Sequence, residues 1–210
     1  MITLYDAVSL SKKKSMGIIC LMILLWFLVY YLIQTDSTHS LLLVMKIAGI
    51  MLNFILFWIV LDMTHPFEMM IQSFVGQAYL KLTKHIAMMI WSIVLTISTV
   101  LVLILALIIK NQMTEIFLYF ELGIHLFLDL IITGIIVIKL SKIKYPTISL
   151  AVPLFYTIYQ LFIENKPSLF LYCVIPFFQP LIMHYSLVIP YKLCYISLGL
   201  LMTNYPKRKR

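Results

Sequence analysis

Apolar residues in this chain come in long blocks, and polar residues collect in the gaps between them. The blocks cover residues 16–33, 41–61, 86–109, 116–139 and 148–163, followed by a broken stretch over 168–203. Runs of about 20 apolar residues cross a bilayer as helices, because hydrocarbon offers no water to bond an open backbone. The fifth block is short and contains Pro153, while Pro167, Pro176, Pro180 and Pro190 interrupt the last one. A proline removes a donor and clashes with the preceding turn, so helices restart around it. The pattern predicts an outer re-entrant or interfacial hairpin at 165–186 and a sixth span over 187–203. The expected fold is all-α: a polytopic membrane protein, one transmembrane domain over 1–210, with six transmembrane helices.

Charge orients these spans. Lys12, Lys13 and Lys14 precede the first, and Lys81 and Lys84 precede the third. Lys139, Lys142 and Lys144 separate the fourth from the fifth, and Lys207, Arg208, Lys209 and Arg210 end the chain. With six spans these basic residues fall on one side, which is then cytoplasmic, whereas the opposite loops hold only Lys110 and Lys166. A seventh crossing would move the basic tail outside and spoil the pattern. The expectation is a multi-pass protein of the cell (plasma) membrane with both termini cytoplasmic.

Composition points the same way. Hydrophobic residues make up 63% of the chain and charged residues 11%, against about a quarter charged in soluble domains. The net charge of +8 is a topology signal, and nucleic acid is not an expected partner because the positive charges are dispersed at membrane edges. The lipid bilayer is the expected surrounding, and the basic cytoplasmic tail 204–210 can also touch anionic headgroups. Residues 34–40 offer no small-residue cleavage pattern, so the first block reads as an uncleaved helix. Residues 1–15 read as an interfacial segment with Ile2, Tyr5 and Val8 on its apolar side; a frayed terminus is the alternative. Cys20, Cys173 and Cys194 lack metal-ligand spacing and read as free thiols, with an outer Cys173–Cys194 bridge as the alternative.

The longest cytoplasmic connection, 62–85, reads DMTHPFEMMIQSFVGQAYLKLTKH. Pro66 suits a first helical position, Glu68 a first turn, and Gly76 a helix end. Phe67, Met70, Ile71 and Phe74 fall at helical spacing on one side, and Glu68 and Gln72 share another. A short surface helix is expected, able to press its apolar side on the spans and offer its polar side to a partner. A simple interfacial linker is the alternative.

The order of these elements resembles the ATP-binding-cassette type 2 permeases. In that family the stretch between spans two and three begins with an acidic residue and a Glu-containing helix. It then passes a small-residue turn and enters span three through a basic residue. Asp62, Glu68, Gly76 and Lys84, running into KHIAMMIWSIVL, stand in those places. The broken outer hairpin PSLFLYCVIPFFQPLIMHY and the tail NYPKRKR also fit. The resemblance covers the whole chain as architecture and rests at residue level on 62–95.

It implies half of an exporter. The second half would be another copy or a sister permease, and a cytosolic ATPase would dock on a coupling helix carrying Pro66, Phe67, Glu68, Gln72 and Phe74. No G-x-x-x-x-G-K-[ST] loop occurs in the chain, so ATP would act through that ATPase and no cofactor would bind directly. Peptide or drug export, or immunity, is the expected use. Abundant Ile, Lys and Tyr with little Arg or Ala suggest a bacterial, AT-rich genome.

Charges inside the spans carry the rival reading. Glu121, His125 and Asp129 recur every four residues and share one helix face. Intramembrane ionisable groups face partners or water-filled cavities. Lys46 and Lys192 are expected at about the depth of Glu121, which makes an interhelical ion pair available. The open alternatives are structural pairing, a polar patch on a transport route, and proton or metal chemistry. The rival function is a gradient-driven secondary transporter or channel using Glu121, His125 and Asp129. No second His or Cys cluster supports a metal, and no G-x-S-x-G or H-E-x-x-H motif supports catalysis, so no catalytic or metal residue is expected.

Overall fold

The computed structural model describes residues 12–34, 38–62, 77–109, 116–140, 150–162 and 185–204. They form six helices: α1 (Lys12–Gln34), α2 (Thr38–Asp62), α3 (Gln77–Ile109), α4 (Ile116–Leu140), α5 (Ala151–Phe162) and α6 (Tyr185–Asn204). The described part of the chain is therefore all-helical, as the block pattern predicts. The interfacial segment 1–11, the coupling helix expected at 66–75, most of the expected outer hairpin and the tail beyond Asn204 lie outside the described residues.

Two helical stretches, Leu82–Ile109 in α3 and Gly123–Leu140 in α4, are long and apolar enough to cross a membrane. The apolar stretches Met16–Leu28, Ile47–Val60 and Ile189–Met202 are shorter. Of the six expected spans, two therefore reach crossing length within the described residues. At 12 residues α5 extends about 18 Å, well short of a hydrocarbon core of about 30 Å. Pro153 is its third residue, where the missing N–H costs no helical hydrogen bond. The third helix differs most from expectation. It begins nine residues before the expected span and runs for 33 residues, or about 50 Å. Its start takes in Lys81 and Lys84, so the basic cluster is helical rather than loop.

Packing centres on α4, which contacts α2, α3, α5 and α6. Only three residues separate α1 from α2, so these two pack as antiparallel neighbours. The core combines Leu126, Leu130, Ile131 and Ile138 of α4 with Leu52, Ile55, Leu56 and Ile59 of α2 and Met88, Leu95, Leu103 and Leu107 of α3.

Polar side chains are buried within this apolar core, while large apolar residues lie outside it. Asn53, Ser92, Thr96, Thr99, His125, Asp129, Thr133 and Lys192 are buried. Phe27, Tyr31, Trp58, Ile97, Leu105, Phe120, Phe155, Leu198 and Leu201 are exposed. Scattered apolar residues on a surface need no explanation, but extended apolar faces around buried polar groups do.

Small residues set the closest approach of α3 to α4. A Cβ on Gly123 would stand 2.6 Å from Cγ2 of Val100, and one on Gly134 would stand closer still to Sδ of Met88. Val100 is branched at Cβ and cannot turn aside cheaply, whereas the Met88 thioether can. Gly123→Ala is expected to cost about 1–3 kcal/mol through overpacking, seen as a lowered Tm of the detergent-purified chain. Gly134→Ala should lower Tm less, despite its closer nominal contact. The reverse order would show that the α3–α4 spacing is not set at Gly123.

Candidate functional site

The helical period gathers the buried polar groups of α4 into one seam. His125, Asp129 and Thr133 are spaced four residues apart on α4, and all three are buried. This stripe meets three other helices. Lys192 of α6 donates from Nζ to Oδ1 of Asp129 at 2.6 Å, and both side chains are completely buried. The Tyr156 hydroxyl of α5 donates to Oδ2 of the same carboxylate at 3.4 Å, a long bond beside a short one. One turn along, the Thr133 hydroxyl donates to Oδ1 of Asn53 on α2. The Asn53 amide in turn donates to the Gly49 carbonyl at 2.7 Å.

Glycine makes room for this arrangement. A Cβ at residue 49 would lie 2.6 Å from the Tyr156 hydroxyl. The bare α2 backbone therefore lets the phenol sit between α2 and the Asp129 carboxylate. Four helices are tied to one another through hydroxyl, amide, carboxylate and ammonium groups in a region that water does not reach.

The electrostatics are those of a closed pair. Taking either charge out of water costs several kcal/mol, and mutual attraction offsets this only with good geometry and further hydrogen bonds. A charge-assisted bond at 2.6 Å with a phenol on the second oxygen meets that condition. A cation approaching Asp129 from solution would have to displace the Lys192 ammonium. Among the described residues no three His, Cys, Asp or Glu side chains gather in a metal-binding group, so the convergence of Glu121, His125 and Asp129 that a metal requires is not formed.

The structure places the sequence candidates unevenly. His125, Asp129 and Lys192 come together in and beside the seam. Glu121 is half-buried, two turns away along α4. Lys192, expected at about the depth of Glu121, pairs with Asp129 instead. The matching of depths fails because α6 sits about two turns further along α4 than equal distances from the block ends imply. The side chain of Lys46 and all of Pro66, Phe67, Glu68, Gln72 and Phe74 lie outside the described residues. Cys20 and Cys194 are exposed free thiols.

Three members of the seam were missed by sequence reasoning. Thr133 continues the four-residue series from Glu121, and Asn53 is an amide in an apolar block, so both had a legible signal. Tyr156 had none, because aromatic residues are common throughout the apolar blocks. No family model, no curated protein and no solved structure matches this chain.

Asp129→Asn leaves the Lys192 ammonium buried without its counter-charge. A loss of about 3–5 kcal/mol is expected, measured by thermal or denaturant unfolding in detergent. Adding Lys192→Met to Asp129→Asn should restore most of that loss, and strict additivity would exclude direct coupling. Glu121→Gln should cost clearly less than Asp129→Asn, because the Glu121 side chain is only half-buried.

Proposed function

We propose that this chain is the transmembrane permease subunit of an ATP-driven exporter. It crosses the membrane six times, with both termini cytoplasmic and a broken hairpin on the outer side. A second copy or a sister permease completes the translocation path, and a separate cytosolic ATPase docks on the 62–85 connection.

The observation that carries this reading is the shape of α3. Its 33 residues exceed the thickness of a membrane, and it begins with Gln77–Lys81, ahead of the apolar stretch that starts at Leu82. Thr83, Lys84 and His85 are all buried, although consecutive helical residues point in different directions. The start of this span is thus enclosed on more than one side, directly after the segment in which the coupling helix is expected. A rigid helix that continues from a cytoplasmic platform into the membrane is suited to carrying motion from one to the other.

The gradient-driven reading has its own observation. His125 and Asp129 are buried one turn apart on α4, Asp129 accepts from the Tyr156 hydroxyl, and such groups can pass protons. Lys192 already neutralises Asp129, however, so each cycle would have to exchange an ammonium for a proton at that carboxylate. The permease reading requires no such step.

Two experiments separate the readings. Cysteines introduced at Ser37 and Asn111 should label from outside intact cells, and those at Ser73 and Lys207 should not. Outside labelling at residue 207 would overturn the six-span topology. Affinity capture of the tagged chain in mild detergent should bring down an ATPase that carries a phosphate-binding loop. Glu68→Arg should leave membrane insertion normal while weakening that capture and abolishing transport-linked hydrolysis, because it reverses the charge on the helix side that is free of packing residues. Phe74→Asp should impair folding instead. Unchanged transport in Glu68→Arg, Gln72→Arg and a deletion of 67–75 would sink the coupling role and favour the gradient-driven rival.

A further inference from the structure

The sixth helix is attached differently from the rest. The fourth packs against four neighbours, whereas α6 packs chiefly on α4 among the described helices. Its other sides present Tyr191, Leu193, Leu198, Leu201 and Met202 outward. Within the α4–α6 seam the strong polar tie is the Asp129–Lys192 bond. Two residues before Lys192, Pro190 stands inside the helix. A proline there cannot donate to the carbonyl four residues earlier, so α6 is weakest against bending next to its only buried charge.

We infer that α6 is a movable helix, hinged at Pro190 and latched against α4 by the Asp129–Lys192 ion pair. The physics of the pair gives the latch two stable positions. In the dry seam each charge is satisfied by the other. In a wetted seam each is satisfied by water, which removes the desolvation cost that closure imposes. A partly opened seam has neither, so the motion passes between two states rather than through a continuum. Hydrophobic residues at both positions would hold α6 closed without offering the open state any compensation. The latch goes beyond the permease reading and is a property of the chain alone, so it stands or falls separately from the ATPase.

The test uses the whole chain in lipid vesicles, with Cys20, Cys173 and Cys194 replaced by Ser and a reporter Ile196→Cys. Ile196 lies four residues beyond Lys192, on the same face of α6, and is buried. A charged, water-soluble methanethiosulfonate reagent reacts with it only when the seam is wet. The parent should label slowly. Asp129→Asn should label at least about tenfold faster, given the size of the loss when one partner of a buried pair is removed. The charge exchange Asp129→Lys with Lys192→Asp should return the rate most of the way to that of the parent. Pro190→Ala should label more slowly than the parent, because it restores the helical hydrogen bond; a pair with a purely static role would not produce this change. Folded Asp129→Asn that labels at the parental rate overturns the latch. Should Asp129→Asn aggregate, the Pro190→Ala rate decides alone: a slower rate supports the hinge and latch, and an unchanged rate rejects both.

Discussion

A lysine and an aspartate, both fully buried, are held 2.6 Å apart between two helices, and this single bond shapes the rest of the bundle. Either charge alone would be intolerable in an interior that excludes water. The presence of one requires the other, at a fixed depth and on facing sides. The phenol of Tyr156 and the glycine that admits it follow from the same requirement, because the second carboxylate oxygen also needs a donor. The seam is best understood as one charge problem and its successive solutions.

That constraint explains why α4 is central. It carries the aspartate, and its polar stripe has to be covered on every side that water or lipid could reach. The fifth and sixth helices supply groups directly to Asp129, and α2 supplies Asn53 to Thr133 one turn away. On the remaining side α3 packs close at Gly123 and Gly134. Aliphatic side chains then fill the space between these polar links. The outward faces of α1, α3, α5 and α6 are largely apolar, and the exposed Ser197 hydroxyl of α6 donates to the Leu193 carbonyl of its own helix.

Much of the fold could be read in the sequence, since helix identity depends on long apolar blocks that survive errors at their ends. The boundaries of α3 could not. Residues 77–85 follow a glycine and carry Gln77, Lys81, Thr83, Lys84 and His85, which reads as a connection, yet they are the start of the helix. The polar face of α4 was legible from its four-residue period alone. The partner of Lys192 was not, because an ion pair depends on how far one helix is displaced along another, and spacing within each helix carries no information about that displacement. Tyr156 was invisible for a related reason: its role comes from Gly49 on a different helix, more than 100 residues away in the chain.

The polar seam also supplies something that the apolar packing cannot. In the membrane placement proposed above, one aliphatic contact between helices is worth about as much as another, because lipid tails are as apolar as leucine. A helix packed only through Leu and Ile could slide by a turn at little cost. Sliding α6 by one turn moves Lys192 by about 5.4 Å, enough to strand both charges. The same slip between α2 and α4 separates Asn53 from Thr133. Each polar link therefore selects one register for its pair of helices, and two links at adjacent turns of α4 fix α2 and α6 relative to the same reference. A bundle built this way has a specified geometry around α4 even though its exterior is almost featureless. Any large movement has to go through breaking a link rather than sliding past it. Where such a link is an ion pair, as it is for α6, water can compensate for the break. The links to α2 are neutral, and their small, mutually bonded groups gain less from hydration, which makes α2 and α4 the fixed frame of the molecule.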